Sequence, residues 1–360
     1  MKMTQIELLC LTAALLVSLT FATPCYDFNP FYINETIPDS FKVCPKPCSC
    51  PYCLYHKFNK TLIRYRHNAE CDGKDIHSVS SHELPADTAV VKMSSNKITG
   101  LSANSFPNTT ETIVLTKNRL TSGKIHDDAF SNLRSLTRLR MDDNQNIISI
   151  NQNWFRNLFQ LTHLNLEMCG IKKIFPNAFL NLNALQLLNL TGNKIENIPP
   201  NLFQKLTSLT TLNLDSNSIK VLPDAMFHGT DNLTLLALHR NSLTTITKTV
   251  GLQNLLMLAS LSLFDNPYNC DCDLEWFHYW LREENTIDIL KNIQSIDCGS
   301  PQSLESKQVA EIHFDVFKCG HWWAILAATL GALVLLCLFV IIGIKYRKYR
   351  IGHQNYEVVQ

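Results

Sequence analysis

Arg138, Arg140 and His163, with Asp142, Asp143 and Glu167 beside them, are expected close together on one face of an array of short strands. Lys92 and Asn165 occupy equivalent strand positions. Arginine presents a planar fork of donors, and with carboxylates around it makes the best polar anchor set on that face for a protein ligand. Solvated charges on an open sheet remain the other reading. None of these residues has catalytic spacing. The chain has no G-x-S-x-G, no H-E-x-x-H and no phosphate loop, and its 12 His share no ligand spacing. Asp142-Asp143-Asn144-Gln145-Asn146 faintly resembles a calcium loop but lacks its glycine and distal glutamate. Neither an enzyme nor a cofactor is expected. Cys50-x-x-Cys53 has zinc-ligand spacing, but in a secreted chain disulfides are the better reading. Cys169 is read as a buried, unpaired structural thiol and not as a nucleophile.

The elements that must position these side chains are clearest at 185–219. There the unit L-x-x-L-x-L-x-x-N-x-I occurs twice, as Leu185, Leu188, Leu190, Asn193, Ile195 and as Leu209, Leu212, Leu214, Asn217, Ile219. Five matched positions at fixed spacing, repeated, form the leucine-rich repeat signature. The paired leucines alternate with a polar residue and so face one side of a short strand. One such strand cannot bury its apolar side alone; stacked copies can. The asparagine turns the chain, and its amide can bond backbone groups of the neighbouring repeats. Eight repeats are counted on this position: Asn96, Asn118, Asn144, Cys169, Asn193, Asn217, Asn241 and Asn266. The first is weak, with Val91 and Met93 for the leucines, and the third carries an extra residue and should bulge. A phenylalanine row (Phe106, Phe130, Phe155, Phe179, Phe203, Phe227) predicts convex-side core packing and breaks at Val250-Gly251.

The fold expected is therefore an α/β solenoid, a curved repeat array with a parallel sheet on the concave face. Its outward positions are the x residues of LxxLxL. Asn189 is one of them, so a glycan there would block the fifth repeat. A ligand is then expected on repeats one to four, on a flank or on a cap.

Thirteen cysteines in clusters argue for an oxidising compartment, and the net charge of +1 does not suggest nucleic-acid binding. Met1–Ala22 has the pattern of a secretory signal peptide, with cleavage expected after Ala22. Its apolar run is short for the alternative, a first membrane span. Trp322–Ile344 carries no charge and as a helix would span about 35 Å, enough for a bilayer core. Lys345, Arg347, Lys348 and Arg350 follow, which places that end in the cytoplasm and makes the chain a type I protein. The expected division is 1–22 signal peptide, 23–43 extension, 44–87 N-terminal cysteine-rich cap and 88–266 repeats. Then come 267–319 as a C-terminal cysteine-rich cap, 322–344 as the span and 345–360 as the tail. Five glycan acceptors precede the span: Asn34, Asn59, Asn108, Asn189 and Asn232. In the tail, Tyr356-Glu357-Val358-Val359 resembles a Y-x-x-Φ sorting motif, and Tyr356 is alternatively a phosphosite.

The run Cys44-x3-Cys48-x-Cys50 resembles the N-terminal flanking cap of extracellular leucine-rich repeat proteins. Asn266-Pro267-x-x-Cys270-x-Cys272, followed by Cys298 and Cys319, resembles their C-terminal cap. The resemblance implies the pairs Cys44–Cys50, Cys48–Cys71, Cys270–Cys298 and Cys272–Cys319. Cys25 and Cys53 are left over as a further candidate pair. The long gap from Cys50 to Cys71 departs from the family pattern and leaves the N-terminal register open. Leu274, Phe277, His278 and Leu281 fall at helical spacing, predicting a short helix over 273–284. As a whole the chain resembles single-pass extracellular leucine-rich repeat proteins, a group that includes Toll-like receptors and platelet glycoprotein Ib–IX subunits. The resemblance implies a plasma-membrane recognition or adhesion receptor for a protein ligand, with no signalling domain in its short tail. The alternative it brings in is an auxiliary subunit of an ion channel, as in large-conductance potassium channels, and a third reading is a co-receptor or decoy.

Overall fold

The structure, a computed structural model, describes residues 48–49, 52–56, 63–291, 295–313 and 322–354. It divides at Ile312 into a repeat unit and a C-terminal helical unit.

The repeat unit is a leucine-rich repeat solenoid. Its sheet has eleven strands in the order of the chain; Ser149–Ile150 and Lys173–Ile174 pair with each other outside it, as do Tyr268–Asn269 and Cys298–Ser300. The eight repeat strands are Val90–Lys92, Thr112–Val114, Arg138–Arg140, His163–Asn165, Leu187–Asn189, Thr211–Asn213, Leu235–Ala237 and Ser260–Ser262. All pair in parallel and in register, so the central residues Val91, Ile113, Leu139, Leu164, Leu188, Leu212, Leu236 and Leu261 form one buried row. These are the triplets the L-x-x-L-x-L pattern predicts, because period-two alternation leaves only one choice of inward residue.

What locks one coil to the next is the row of asparagine amides that follows the strands. Asn193 donates to Leu166 O of the preceding coil (2.9 Å) and to Leu190 O of its own (2.8 Å). Its oxygen accepts from the N–H groups of Cys169 and Ile171 (both 3.0 Å). Asn118, Asn144, Asn217, Asn241 and Asn266 repeat the arrangement, each accepting from the backbone of the coil before it. The residue just before this row is left-handed in every coil, with φ between 51° and 69° from Ser95 to Asp265, and only Gly192 among them is a glycine. An L residue there is strained. It is held because its N–H is bonded across coils, as from Ser95 to Thr116 O (2.9 Å) and from Asp143 to Glu167 O (2.9 Å).

Cys169 fills the asparagine slot of the fourth coil. Its thiol donates to Met141 O (3.1 Å), and burial pushes its pKa up to about 12. The extra residue of the third coil lies beside it: Asn146 bridges back to Thr121, and Gln145 O projects towards the fourth coil. Gly170, at φ 79°, accommodates that carbonyl, since a Cβ would stand 2.4 Å from it. The extra residue is taken up after the ladder position: the buried isoleucine is Ile147, three residues past Asn144, whereas Ile195 and Ile219 stand two past Asn193 and Asn217.

The other side of the coils is made of turns and 3-10 segments. Phenylalanine rings stack through it from Phe106 to Phe203 with centroids 6.1–6.5 Å apart. Where the row breaks, Val250 is buried instead and Gly251 turns the chain at φ 91°.

Both ends of the solenoid continue the sheet. An antiparallel hairpin, Tyr52–His56 and Ile63–Glu70, adds its second strand in parallel to Val90–Lys92. Leu290–Lys291 adds to Ser260–Ser262 at the far end. Cys48–Cys71 and Cys270–Cys298 are disulfides. Cys272 is also disulfide-bonded, to a residue outside the described set. Cys25, Cys44, Cys50 and Cys319 lie outside it too, as does the side chain of Cys53. The single helix predicted over 273–284 is shorter, Glu275–Leu281, and a second follows at Glu284–Ile289. The four predicted inward residues Leu274, Phe277, His278 and Leu281 are all buried.

The C-terminal unit holds one helix, Trp322–Gln354, which does not stop at Ile344 but runs on through the basic segment. Among the described residues it is the helix long and apolar enough to cross a membrane, over Ala328–Arg347 where the sequence predicted 322–344.

Removing one ladder amide strands several buried backbone groups, each worth about 1–3 kcal/mol. Asn193→Ala is expected to lower the thermal midpoint well beyond Ser218→Ala on the next coil, read by circular dichroism. Cys169 is expected to resist a thiol reagent in the folded protein and to react fully once unfolded, read by mass spectrometry.

Candidate functional site: the sheet face of the third and fourth coils

Outward side chains on this sheet fall in rows, because each strand position recurs one coil later. Register places Arg138 beside His163 and Arg140 beside Asn165. Asp142 and Glu167 follow two residues after the strands, and Asp143 sits at the left-handed position. Seven of the eight residues singled out in the sequence are therefore brought together. Lys92 is not: Val114 stands between it and Arg140 in the register, and its ammonium pairs with Glu70 at 3.0 Å.

The charges of the patch are engaged with one another. Arg140 reaches back along its own chain, with Nε 3.2 Å from Asp142 Oδ1 and Nη2 3.1 Å from Oδ2. Asp142 is only 6% exposed and also accepts from Thr116 Oγ1 at 3.1 Å. Arg140 therefore neutralises a carboxylate that the sheet buries. Asn165 Oδ1 accepts from Glu167 N at 3.1 Å. His163 contacts Thr162 Oγ1 at 2.9 Å, and burial, then the Arg138 guanidinium, pulls its pKa below the usual histidine value. Neutral imidazole beside a cation leaves Arg138 as the main positive charge of that row.

Glu167 shows the opposite effect. Burial, with the Asp142 carboxylate next, raises its pKa above the ordinary range. Its Oε2 accepts from Asn189 Nδ2 at 3.1 Å, and Asn189 Oδ1 accepts from Thr191 N at 3.1 Å. Thr191 Oγ1 then donates to Asp215 Oδ1 at 2.8 Å. Asp215 lies 3.7 Å from His239 Nε2, and the His239 ring stacks on Phe264 at 4.5 Å. A chain of contacts thus crosses the sheet, polar from the fourth coil to His239 on the seventh and aromatic at Phe264 on the eighth. Sequence reading missed Asp215, His239 and Phe264, although one signal was there: each stands two residues before the ladder position.

A second row also went unseen. Thr137, Thr162, Thr210 and Thr234 each donate their hydroxyl to a carbonyl of the preceding coil, at 2.9–3.0 Å. This row stiffens the entry to the strands, so the face is pre-formed.

Of the glycan acceptors, Asn108 and Asn232 are exposed, and Asn189 is half-buried in its strand. Asn34, Asn59 and Tyr356 lie outside the described residues. Among the described residues no group of three or more His, Cys, Asp or Glu is placed to hold a metal ion.

Residues 123–250 match, in six copies, the family described as BspA type leucine rich repeat region. Over 58 residues the chain is 31% identical to nyctalopin of Mus musculus, a stretch that covers 16% of this chain. The chain spans 11% of that relative's length.

A carboxyl whose pKa is raised in the fold contributes stability below its unfolded value and loses it as pH rises through the folded one. Glu167 is therefore unfavourable in its ionised form at pH 7. Glu167→Gln keeps an acceptor for Asn189 and is expected to raise the melting temperature at pH 7. The gain should shrink as pH falls through the carboxylate range, measured by thermal melts at both ends.

Proposed function

We propose that this protein is a cell-surface recognition or adhesion receptor that binds a protein ligand through its repeat unit. The observation that carries the reading is the pre-formed sheet face. Its side chains are held by cross-coil hydrogen bonds, so little ordering is required on binding. Leucine-rich repeat solenoids are typically protein-interaction scaffolds of this kind. Signal peptide 1–22, span 322–344 and the basic residues after it make the chain a type I plasma-membrane protein with its repeats outside. The end segments with their cysteines serve as caps over the exposed ends of the sheet.

The ligand contacts the third and fourth coils, with Arg138 and His163 at the centre and Asn165 and Asp143 beside them. Arg140, Asp142 and Glu167 hold the surface in shape. Lys92 and Glu70 form a separate pair at the N-terminal end. A glycan on Asn189 would stand over the sheet face and close the fifth coil, which is why the binding area is placed N-terminal to it. In the tail, Tyr356 serves internalisation or phosphorylation.

A second reading rests on the helix Trp322–Gln354, which carries the basic segment as a rigid continuation of the span. In an auxiliary subunit of an ion channel the function would reside there. A co-receptor or decoy would use the sheet face without needing the tail.

Replacing 322–360 by an unrelated membrane anchor separates these readings. A receptor keeps ligand capture on the cell surface, whereas a channel subunit loses its effect on current. Within the receptor reading, Arg138→Ala with His163→Ala is expected to weaken capture at least about tenfold, the scale of one lost interfacial anchor. Undiminished capture by a folded double variant would remove the patch from the binding surface.

A further inference from the structure

Each coil re-enters the sheet through one tight turn, and these turns form a rim along the solenoid. In each, a backbone N–H donates three residues back: Leu136 to Leu133, Leu185 to Leu182, Leu233 to Thr230 and Leu258 to Leu255, at 3.0–3.1 Å. The two central residues of the turn are therefore equivalent from coil to coil. Polar pairs occupy them at Arg134-Ser135, Thr207-Ser208 and Asp231-Asn232. The turn ahead of the last repeat strand instead carries Leu256 and Met257, 88% and 60% exposed. Leu256 is the most exposed large apolar side chain among the described residues. An isolated exposed residue such as Phe159 on the same rim is ordinary; two adjacent ones at a turn tip call for a cover.

The register Leu236↔Leu261 sets Asp231 and Asn232 one coil away from Leu256 and Met257. Neighbouring strands lie about 4.8 Å apart, so the two turn tips are nearest neighbours. Asn232-Leu233-Thr234 is a glycan acceptor. Asn232 is exposed, and its Nδ2 donates to Thr207 O at 2.8 Å. That nitrogen carries two hydrogens, so a sugar replacing one leaves the bond to Thr207 in place and the amide oriented. Asn189 differs: its amide is tied to Glu167 and Thr191 inside a strand.

We infer that Asn232 carries an N-linked glycan whose first sugars lie over Leu256 and Met257. A pyranose ring presents C–H faces and an acetamido methyl to apolar side chains while its hydroxyls stay in water. Such a cover turns an exposed apolar tip into a soluble one. This inference rests on the secretory reading of the chain proposed above.

The full chain, made in a glycosylating eukaryotic cell, is exposed to dilute hydrogen peroxide. Sulfoxide formation at Met257 and at Met168, which is half exposed and lies beyond the opposite ends of the strands, is followed by peptide mass spectrometry. Enzymatic trimming of the glycans on the folded protein is expected to speed oxidation of Met257 several-fold and leave Met168 unchanged. Asn232→Gln should do the same; should that variant fold poorly, the trimming arm still decides. An unmodified Asn232 on a protein that carries a glycan at Asn108 overturns the inference and leaves the secretory reading intact. Equal Met257 oxidation with and without sugar overturns it too, and slow oxidation in both states assigns the cover to another chain or a lipid surface. Absence of sugar from every acceptor brings down the inference and the secretory reading together.

Discussion

Every coil of this solenoid turns sharply at the end of its strand, and the turn leaves backbone N–H and C=O groups pointing into the stack with no strand partner. The asparagine amide is what satisfies them. It offers two donors and an acceptor in one plane, and it places them between two successive coils. Leucine burial supplies the larger driving force, but it is not directional. The amide row fixes how far one coil advances over the last, and the register of the sheet follows from that advance.

The departures from regularity can be traced to the same constraint. The thiol of Cys169 donates to the carbonyl of Met141 but offers less than an amide, and it occurs where the preceding coil carries an extra residue. The Gln145 carbonyl occupies space near the turn, and Gly170 leaves that space open. The left-handed residue before each ladder position is strained, yet it gives its N–H to the next coil in every repeat. Strain at one atom is offset by a bond that only the stacked array can make.

The same stacking shapes the outward face. Side chains from successive coils stand a strand spacing apart, so polar groups also interact along rows. Lys92 with Glu70, Glu167 with Asn189 and Asp215 with His239 are products of this geometry, whereas Arg140 pairs with Asp142 on its own coil. A surface whose polar groups are already paired presents a fixed pattern of donors and apolar atoms. That favours recognition by shape and by a few anchors.

Sequence alone determined the eight strand triplets, the buried row, the ladder positions and the phenylalanine spine. Period-two alternation and a fixed repeat leave no freedom in which residue points inward. It also pointed to the Cys48–Cys71 and Cys270–Cys298 pairs through a family resemblance, and to the four inward residues of the helix after Cys272. Tertiary structure alone decided which outward charges meet. Lys92 and Arg140 share a strand position yet differ in partner, because Glu70 lies on the neighbouring hairpin strand and Asp142 on Arg140's own coil. It also decided the threonine row, the Asp215–His239–Phe264 run and the nearness of Asn232 to Met257. Those contacts join residues a whole coil apart, and no local pattern encodes a distance that arises only when one coil rests on the next.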